Sequence, residues 1–302
     1  MNNRVLVTGA SGFVGAHLLP MLLARDYDVV AVGRESSKPN ELPDVEWVHG
    51  DLLDASTLGR LPTNLWGVVH LAGETVPGLF SSTASTLTNV AMTLNVAERL
   101  EGARFLFVSS CHVYAPSDYP LTESSLLKPR GRYGLSKLLG EQAITSFEGR
   151  LDVRIARPFN HLGPRMRREL MAPSLLRRIV SERGSAQPLK MYGLDSTRDF
   201  LDVRDIADAY IRVLELEALE SESGPQIFNV CSGAPLKVSQ LAAAALELAG
   251  DSPRRIEFQG SANSTDDTDY LVGDASALRK ATGWRPKYSV HESLEAMLAA
   301  DL

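Results

Sequence analysis

Short apolar runs alternate with stretches of helical periodicity through the first half of the chain. The runs are RVLVTG (4–9), DVVAVG (28–33), VEWVHG (45–50), WGVVHLA (66–72), ARFLFVSS (103–110) and LDVRIARP (151–158). They are rich in β-branched residues and nearly continuous in apolar character, as strands covered on both faces of a parallel sheet must be. Between them, Val14, Leu18, Leu19, Leu22 and Leu23 recur at helical spacing over 13–25. Over 84–100, Leu87, Val90, Ala91, Leu94 and Ala97 share one helical face, and 133–147 is a further helix. Repeated strand–helix–strand units predict an α/β fold with a right-handed, doubly wound parallel sheet.

After Pro158 the alternation becomes irregular. Segment 161–190 is rich in Arg and Pro and carries one helix, at 172–183. A helix over 203–217, a strand over 226–231 and a helix over 237–249 follow, and the tail 275–302 has Gly283-Trp284 with Pro286 before a last helix. The expected organisation is a first domain over 1–160 and a smaller C-terminal lobe over 161–302, with segments near 195–232 returning to the first domain. No internal repeat or low-complexity linker interrupts it.

Composition narrows the class. The chain of 302 residues is long enough for a large core and a second lobe. Hydrophobic residues at 44% and charged residues at 23% are ordinary for a soluble globular protein. A net charge of −6 speaks against a nucleic-acid partner, which calls for a basic face. Cys111 and Cys231 are too few and too far apart for a disulfide framework or a metal site, so no metal is expected and a reducing cytoplasm fits. The opening MNNRVLVTGASG holds no long apolar run, so no signal peptide is expected. No stretch approaches the ~20 apolar residues that span a bilayer, so no membrane partner is expected either.

The first chemistry-bearing motif is Thr8-Gly9-Ala10-Ser11-Gly12-Phe13-Val14-Gly15, directly between the first strand and the first helix. Glycines there let the backbone approach a pyrophosphate, and the free amides at the helix start bind its charge. In that strand–turn–helix context the fold is of the Rossmann type, with 1–160 as the dinucleotide-binding domain. At the end of the second strand an acidic side chain would hold the ribose 2′-hydroxyl of NAD. Gly33 stands there instead, followed by Arg34 and Ser36, which suit the 2′-phosphate of NADP. NADP(H) is therefore favoured and NAD(H) is the alternative; Glu35 is the neighbour that could reverse this. Asp51-Leu52 follows the third strand, where Asp51 either meets the adenine edge or caps a helix. Leu71, Ala72 and Gly73 end the fourth strand and are expected along the middle of the cofactor.

The second motif is Tyr133-Gly134-Leu135-Ser136-Lys137. Four residues apart on a helix, Tyr133 and Lys137 share a face. A phenol with an ordinary pKa near 10 is a poor acid–base group at neutral pH, and a nearby ammonium, with an oxidised nicotinamide, favours its phenolate. Ser110, at the end of the fifth strand, can hydrogen-bond the same substrate oxygen.

These strings resemble the extended short-chain dehydrogenases/reductases of the NAD-dependent epimerase/dehydratase family. TGASGFVG, Asp51-Leu52, HLAG, VSSCHVY and YGLSK stand in that family's order and spacing. The resemblance implies a catalytic set of Ser110, Tyr133 and Lys137, with Asn89 in support and Pro158 beside the cofactor; Ser109 is the near miss to Ser110. RPFNHLGP (157–164), TRDFLDVRD (197–205) and NVCSG (229–233) resemble the branch that handles GDP-linked deoxyhexoses. That branch implies a nucleotide-diphosphate sugar substrate bound by Asn160 and Arg198, with Arg178 as a further nucleotide contact. Arg198 could equally pair with Asp199, Asp202 or Asp205.

Two positions narrow the reaction. Dehydratases of the family carry a glutamate two residues before the Tyr of V-Y, and the dual epimerase-reductases carry a cysteine there with a histidine as second acid. Here the places hold His112 and Leu170. His112 is a possible acid or base, or a packing residue. What needs no extra base is reduction of the C4 keto group of a nucleotide-linked 4-keto-6-deoxyhexose, with Tyr133 handling the proton. A nucleotide-sugar 4-epimerase or 4,6-dehydratase is the alternative, and a non-catalytic nucleotide sensor is a third class. The resemblance also implies a homodimer built as a four-helix interface from 84–100 and 133–147, whose apolar faces could equally be spent on the sheet.

Overall fold

The computed structural model describes residues 3–34, 42–75, 80, 82–129, 131–185, 187–191, 193–217, 224–251, 256–258 and 270–301. In the first half the elements are β1 (Arg4–Thr8), α1 (Phe13–Leu23), β2 (Asp28–Gly33), β3 (Val45–His49), α2 (Ala55–Leu58), β4 (Gly67–His70), α3 (Thr83–Ala97), β5 (Arg104–Val108), α4 (Gly131–Thr145) and β6 (Asp152–Pro158). The second half adds β7 (Asn160–Leu162), α5 (Met171–Ser181), β8 (Leu189–Met191), β9 (Thr197–Asp202), α6 (Val203–Glu215), β10 (Gln226–Val230), β11 (Pro235–Lys237), α7 (Val238–Leu248), β12 (Ile256–Phe258), β13 (Tyr270–Leu271), α8 (Ser276–Thr282) and α9 (Val290–Asp301).

Seven strands form one sheet in the order β10-β6-β5-β4-β1-β2-β3, every pair parallel. Its strands are covered on both faces, which is why they read as continuous apolar runs. Along β5, Leu106 and Val108 join the core that holds Leu18 and Leu22 of α1 and Tyr210 of α6. Phe105 and Phe107 point the other way, into the core with Val96 of α3 and Ile144 of α4. This is the doubly wound Rossmann-type arrangement, and the strand order reverses between β1 and β4, where such sheets bind ligands beyond the carboxyl ends of the strands. Truncating Leu106, fully buried in β5, to alanine costs about 2–5 kcal/mol.

The other lobe is built around β9, which pairs antiparallel with β11 and parallel with β7 and β13, beside a two-stranded β8–β12 pair. Its own core joins Leu175 and Ile179 of α5, Leu241 and Leu246 of α7, and Leu294 and Met297 of α9. The short strands here escape sequence patterning because half their residues are polar and are held by specific bonds. In β9, Asp199 is wholly buried and accepts from the Ser232 amide at 2.8 Å, the Ser232 hydroxyl at 2.7 Å and the Gly233 amide at 2.9 Å.

One apolar face does not point where simple periodicity sends it. The buried residues of α3 are Thr86, Asn89, Thr93, Val96 and Ala97, whereas Leu87 is 54% exposed. The inward face is polar because it has partners. Thr93 meets His70, and Asn89 meets Glu74 and Ser136. The apolar stripe of Leu87, Val90, Ala91 and Leu94 is left half-buried or exposed. On α4, Leu135 is likewise 41% exposed.

Candidate active site

A cleft of ≈ 770 Å³ runs over the carboxyl ends of β1, β2, β4, β5 and β6. That is the size of a cofactor-binding pocket. Its first wall is backbone. Gly9 has φ +66°, and a Cβ on it would lie 2.7 Å from the Ala72 amide nitrogen. A Cβ on Gly15 would lie 2.3 Å from the Ala10 carbonyl oxygen, so only glycine lets α1 start this close to β1. Gly12 caps α1 with no side-chain hydrogen bond, leaving the helix's first amides to a ligand. Ser11, Gly12, Phe13, Val14 and Gly15 all line the cleft.

The loop after β4 is tied to this wall by a buried histidine. His70 bonds Thr8 Oγ1 through Nδ1 at 2.9 Å and Thr93 Oγ1 through Nε2 at 3.2 Å. Burial, with Lys137 nearby, pushes its pKa down to about 3, so the ring is neutral. Thr8 Oγ1 also accepts from the Ala72 amide at 3.2 Å. Leu71, Ala72 and Gly73 therefore sit at fixed height along the cleft.

At the far end, a Cβ on Gly33 would come within 2.9 Å of Ser11 Oγ, so no acidic side chain fits at that strand end without displacing Ser11. Arg34 follows it in the lining, with Asp51 and Leu52. Asp51 does not cap a helix, since the residue before α2 is Asp54; its carboxylate accepts from the Leu53 amide at 2.9 Å in the turn before α2, and it lines the cleft. Ser36 lies outside the described residues. A glycine cradle, uncapped helix amides and an arginine beside a glycine-ended strand fit a dinucleotide, including one with a 2′-phosphate.

The chemistry-bearing side chains meet at the other end. Ser110, Tyr133 and Lys137 all line the cleft, with Ser109, His112, Pro158 and Asn160. The Ser110 hydroxyl caps a short turn by accepting from the His112 amide at 3.2 Å, and it faces the Tyr133 phenol. Lys137 is buried and donates to the Val108 carbonyl at 2.9 Å. Asn89 accepts from the Glu74 amide at 2.8 Å and donates to Ser136 Oγ at 3.1 Å, while Ser136 Oγ donates to the Tyr133 carbonyl at 2.8 Å. Asn89 thus ties the loop after β4 to the turn of α4 that carries Tyr133.

Burial governs the ionisation of both Tyr133 and Lys137. Burial pushes the Tyr133 phenol up to about 12, with Ser110 pulling it partly back. Burial also pulls Lys137 down to about 8, with Glu141 opposing. At neutral pH the phenol carries its proton. His112 is exposed at the cleft mouth, its ring edge-on to Tyr133 at 5.7 Å between centroids.

The third wall comes from the other lobe. Asn160, His161, Arg165, Met166, Arg167, Leu170 and Phe200 line it. His161 stacks on Phe13 at 5.7 Å, and His17 reaches the Pro164 carbonyl at 2.9 Å, so α1 touches both walls. Arg178 and Arg198 stand elsewhere. Arg178 donates to the Lys190 carbonyl at 3.0 Å and pairs with Glu182 at 3.7 Å, and Arg198 donates to the Thr197 carbonyl at 3.1 Å. Neither lines the cleft: α5 turns Arg178 toward β8, and Arg198 sits within β9 between Leu236 of β11 and Leu271 of β13. Of the aspartates that follow it in sequence, Asp199 is engaged by Ser232, Asp202 by Arg204 and Asp205 by the Lys287 amide. Arg165 and Arg167 occupy the cleft instead, with Arg167 paired to Glu74 at 3.3 Å. Sequence reading passed over both because GPRMRREL shows several arginines and nothing in their spacing ranks them.

Such a cleft on such a sheet defines an NAD(P)-dependent protein of the Rossmann type. The chain belongs to the NAD dependent epimerase/dehydratase family, whose model matches residues 5–231. It is 34% identical to the GDP-6-deoxy-D-mannose reductase of Pseudomonas aeruginosa, over 99% of this chain and 97% of that one. The structure of RMD from Pseudomonas aeruginosa complexed with NADPH superposes with a TM-score of 0.82 at 32% identity, covering 99% of this chain and 97% of that one. MoeE5 in complex with UDP-glucuronic acid and NAD superposes with a TM-score of 0.85 at 26% identity, covering 99% and 98%. Other relatives are nucleotide-sugar decarboxylases, dehydratases and epimerases. Among the described residues, no helix is long and apolar enough to cross a membrane, and no cluster of three His, Cys, Asp or Glu could hold a metal.

Proposed function

We propose that the protein reduces the C4 keto group of a nucleotide-linked 4-keto-6-deoxyhexose, with a GDP-sugar as the preferred substrate and NADPH as the reductant. The observation that carries this reading is Tyr133 facing Ser110 in the cleft, with His112 at the place where a dehydratase of the family has a glutamate. Leu170, in the cleft lining, supplies no second acid. The 34% identity to a GDP-6-deoxy-D-mannose reductase supports the same choice.

When bound, the cofactor supplies the hydride that adds to the carbonyl carbon. The protein does the rest. Tyr133 donates its phenolic proton to the carbonyl oxygen as negative charge develops there. Ser110 orients that oxygen, and Lys137 supplies a positive charge beside it and a donor for the cofactor ribose. The amides of 12–15 hold the pyrophosphate, and Arg34 pairs with the 2′-phosphate through its planar fork. Asn160 with Arg165 and Arg167 faces the sugar nucleotide's diphosphate. The exposed stripes of α3 and α4 pair with their copies in a homodimer, supported by Leu87 and Leu135 standing out from the fold.

The test is NADPH consumption with enzymatically made GDP-4-keto-6-deoxymannose and its dTDP-glucose counterpart. Rapid oxidation with the GDP-sugar is expected. No oxidation with either overturns the reading, and product analysis with unreduced nucleotide sugars then tests epimerisation.

A further inference from the structure

Three ionisable side chains on α4 follow one another at single-turn intervals: Tyr133, Lys137 and Glu141. The last has no part in the reaction as described. Glu141 is buried, and Arg157 of β6 clamps it with Nε on one carboxylate oxygen at 2.9 Å and Nη2 on the other at 2.6 Å. Arg157 is buried too and cannot swing away. Its Nη1 donates to the Tyr114 hydroxyl at 3.0 Å and the Glu123 carbonyl at 3.2 Å, and Tyr114 in turn donates to Asn229 at 2.7 Å. The carboxylate is thus fixed by β6, by the turn after β5 and by β10.

Lys137 needs such a fixed charge. Its ammonium is buried and its hydrogen bond goes to a neutral carbonyl, which leaves most of the cost of burying a cation unmet. From β4 the residue facing it is His70, which is neutral. From α3 comes the uncharged Asn89, close to Lys137 across Gly73. From the turn after β5 come Ser110 and the buried, neutral Cys111. From β6 comes Arg157, whose charge Glu141 absorbs. The charge that favours the ammonium is that of Glu141.

We propose that Glu141, clamped by Arg157, is a positioning residue for the reaction: its carboxylate keeps Lys137 charged beside Tyr133 at neutral pH. The inference rests on the roles assigned above to Tyr133 and Lys137. A pair that merely stapled α4 to β6 would not need charge, since apolar side chains of similar volume do as well or better in such a place.

The measurement is a pH titration of Lys137 in the full-length protein by NMR of ¹³C-labelled lysine, with the resonance identified by its loss in Lys137→Met. In Glu141→Gln the midpoint is expected about one unit or more below the wild-type value. The descending limb of kcat against pH should move down with it, while KM for NADPH changes less. Glu141→Asp, which keeps the charge, should restore most of the shift. If Glu141→Gln does not fold because it strands the Arg157 charge, the double variant Glu141→Gln/Arg157→Met removes both charges, and a smaller shift in the same direction is expected. An unmoved midpoint in a folded variant overturns the inference, even if turnover falls. The NMR midpoint needs no substrate, so it is read separately from the reductase assignment, which fails on its own if Tyr133→Phe stays active.

Discussion

The two sides of the cleft are built in opposite ways. The cofactor side is backbone and buried polar groups: Gly9 and Gly15 against Ala72 and Ala10, His70 between two threonines, Asn89 between two loops. Almost nothing there can move without a collision or a lost hydrogen bond. The substrate side is a loop with exposed arginines, Arg165 and Arg167, and one ion pair to Glu74 across the opening. Exposed pairs of that kind contribute little, about 0–1 kcal/mol. On the function proposed above, the contrast divides the work: the rigid side would serve the hydride-transfer chemistry, and the soft side would tell substrates apart.

Changes on the rigid side should therefore have the larger effects. Tyr133→Phe is expected to lower turnover by ~10²–10⁴-fold while leaving dinucleotide affinity intact, measured by steady-state kinetics and cofactor fluorescence. Retained turnover would show that the contrast is misplaced. The pH profile comes next. Tyr133, at about 12, keeps its proton throughout the working range, whereas Lys137 is charged below about 8 and loses its charge above it. Reductive turnover should thus hold below pH 8 and fall by up to about tenfold per unit above it; a limb on the acid side instead would overturn the assignment to Lys137.

Arg34→Ala is expected to weaken NADPH binding by about tenfold and to leave NADH binding unchanged, because one charge-assisted pair to the 2′-phosphate is lost. Equal loss for both cofactors would remove Arg34 from that role. On the soft side, Arg167→Ala should raise KM for the sugar nucleotide a few-fold, with kcat and melting temperature nearly unchanged. Arg178→Ala, outside the cleft, should change neither; an effect equal to that of Arg167→Ala would mean that the substrate reaches past the described lining.

The same division explains what was legible in advance. TGASGFVG, HLAG and YGLSK are local: each is a turn or a helix start whose geometry is written in consecutive residues. They predicted the parallel sheet and the meeting of Ser110, Tyr133 and Lys137 in one cleft. The stripe on α3 was legible as a stripe but not as to direction, because polar Asn89 and Thr93 are buried through partners on other elements, Ser136 and His70. The arginines of 161–190 could not be ranked for the same reason.

By itself, then, the sequence determined the Rossmann-type fold, the glycine cradle and the identity of the groups at its reacting end, since periodicity and turn chemistry act over a few residues. Which arginines face the cleft, how deeply Tyr133 and Lys137 are buried, and the clamp of Arg157 on Glu141 one turn beyond Lys137 all came from the tertiary fold. Burial and charge pairing are properties of neighbours in space, and those neighbours come from elements far apart in sequence, as Tyr114 and Asn229 are at 115 positions.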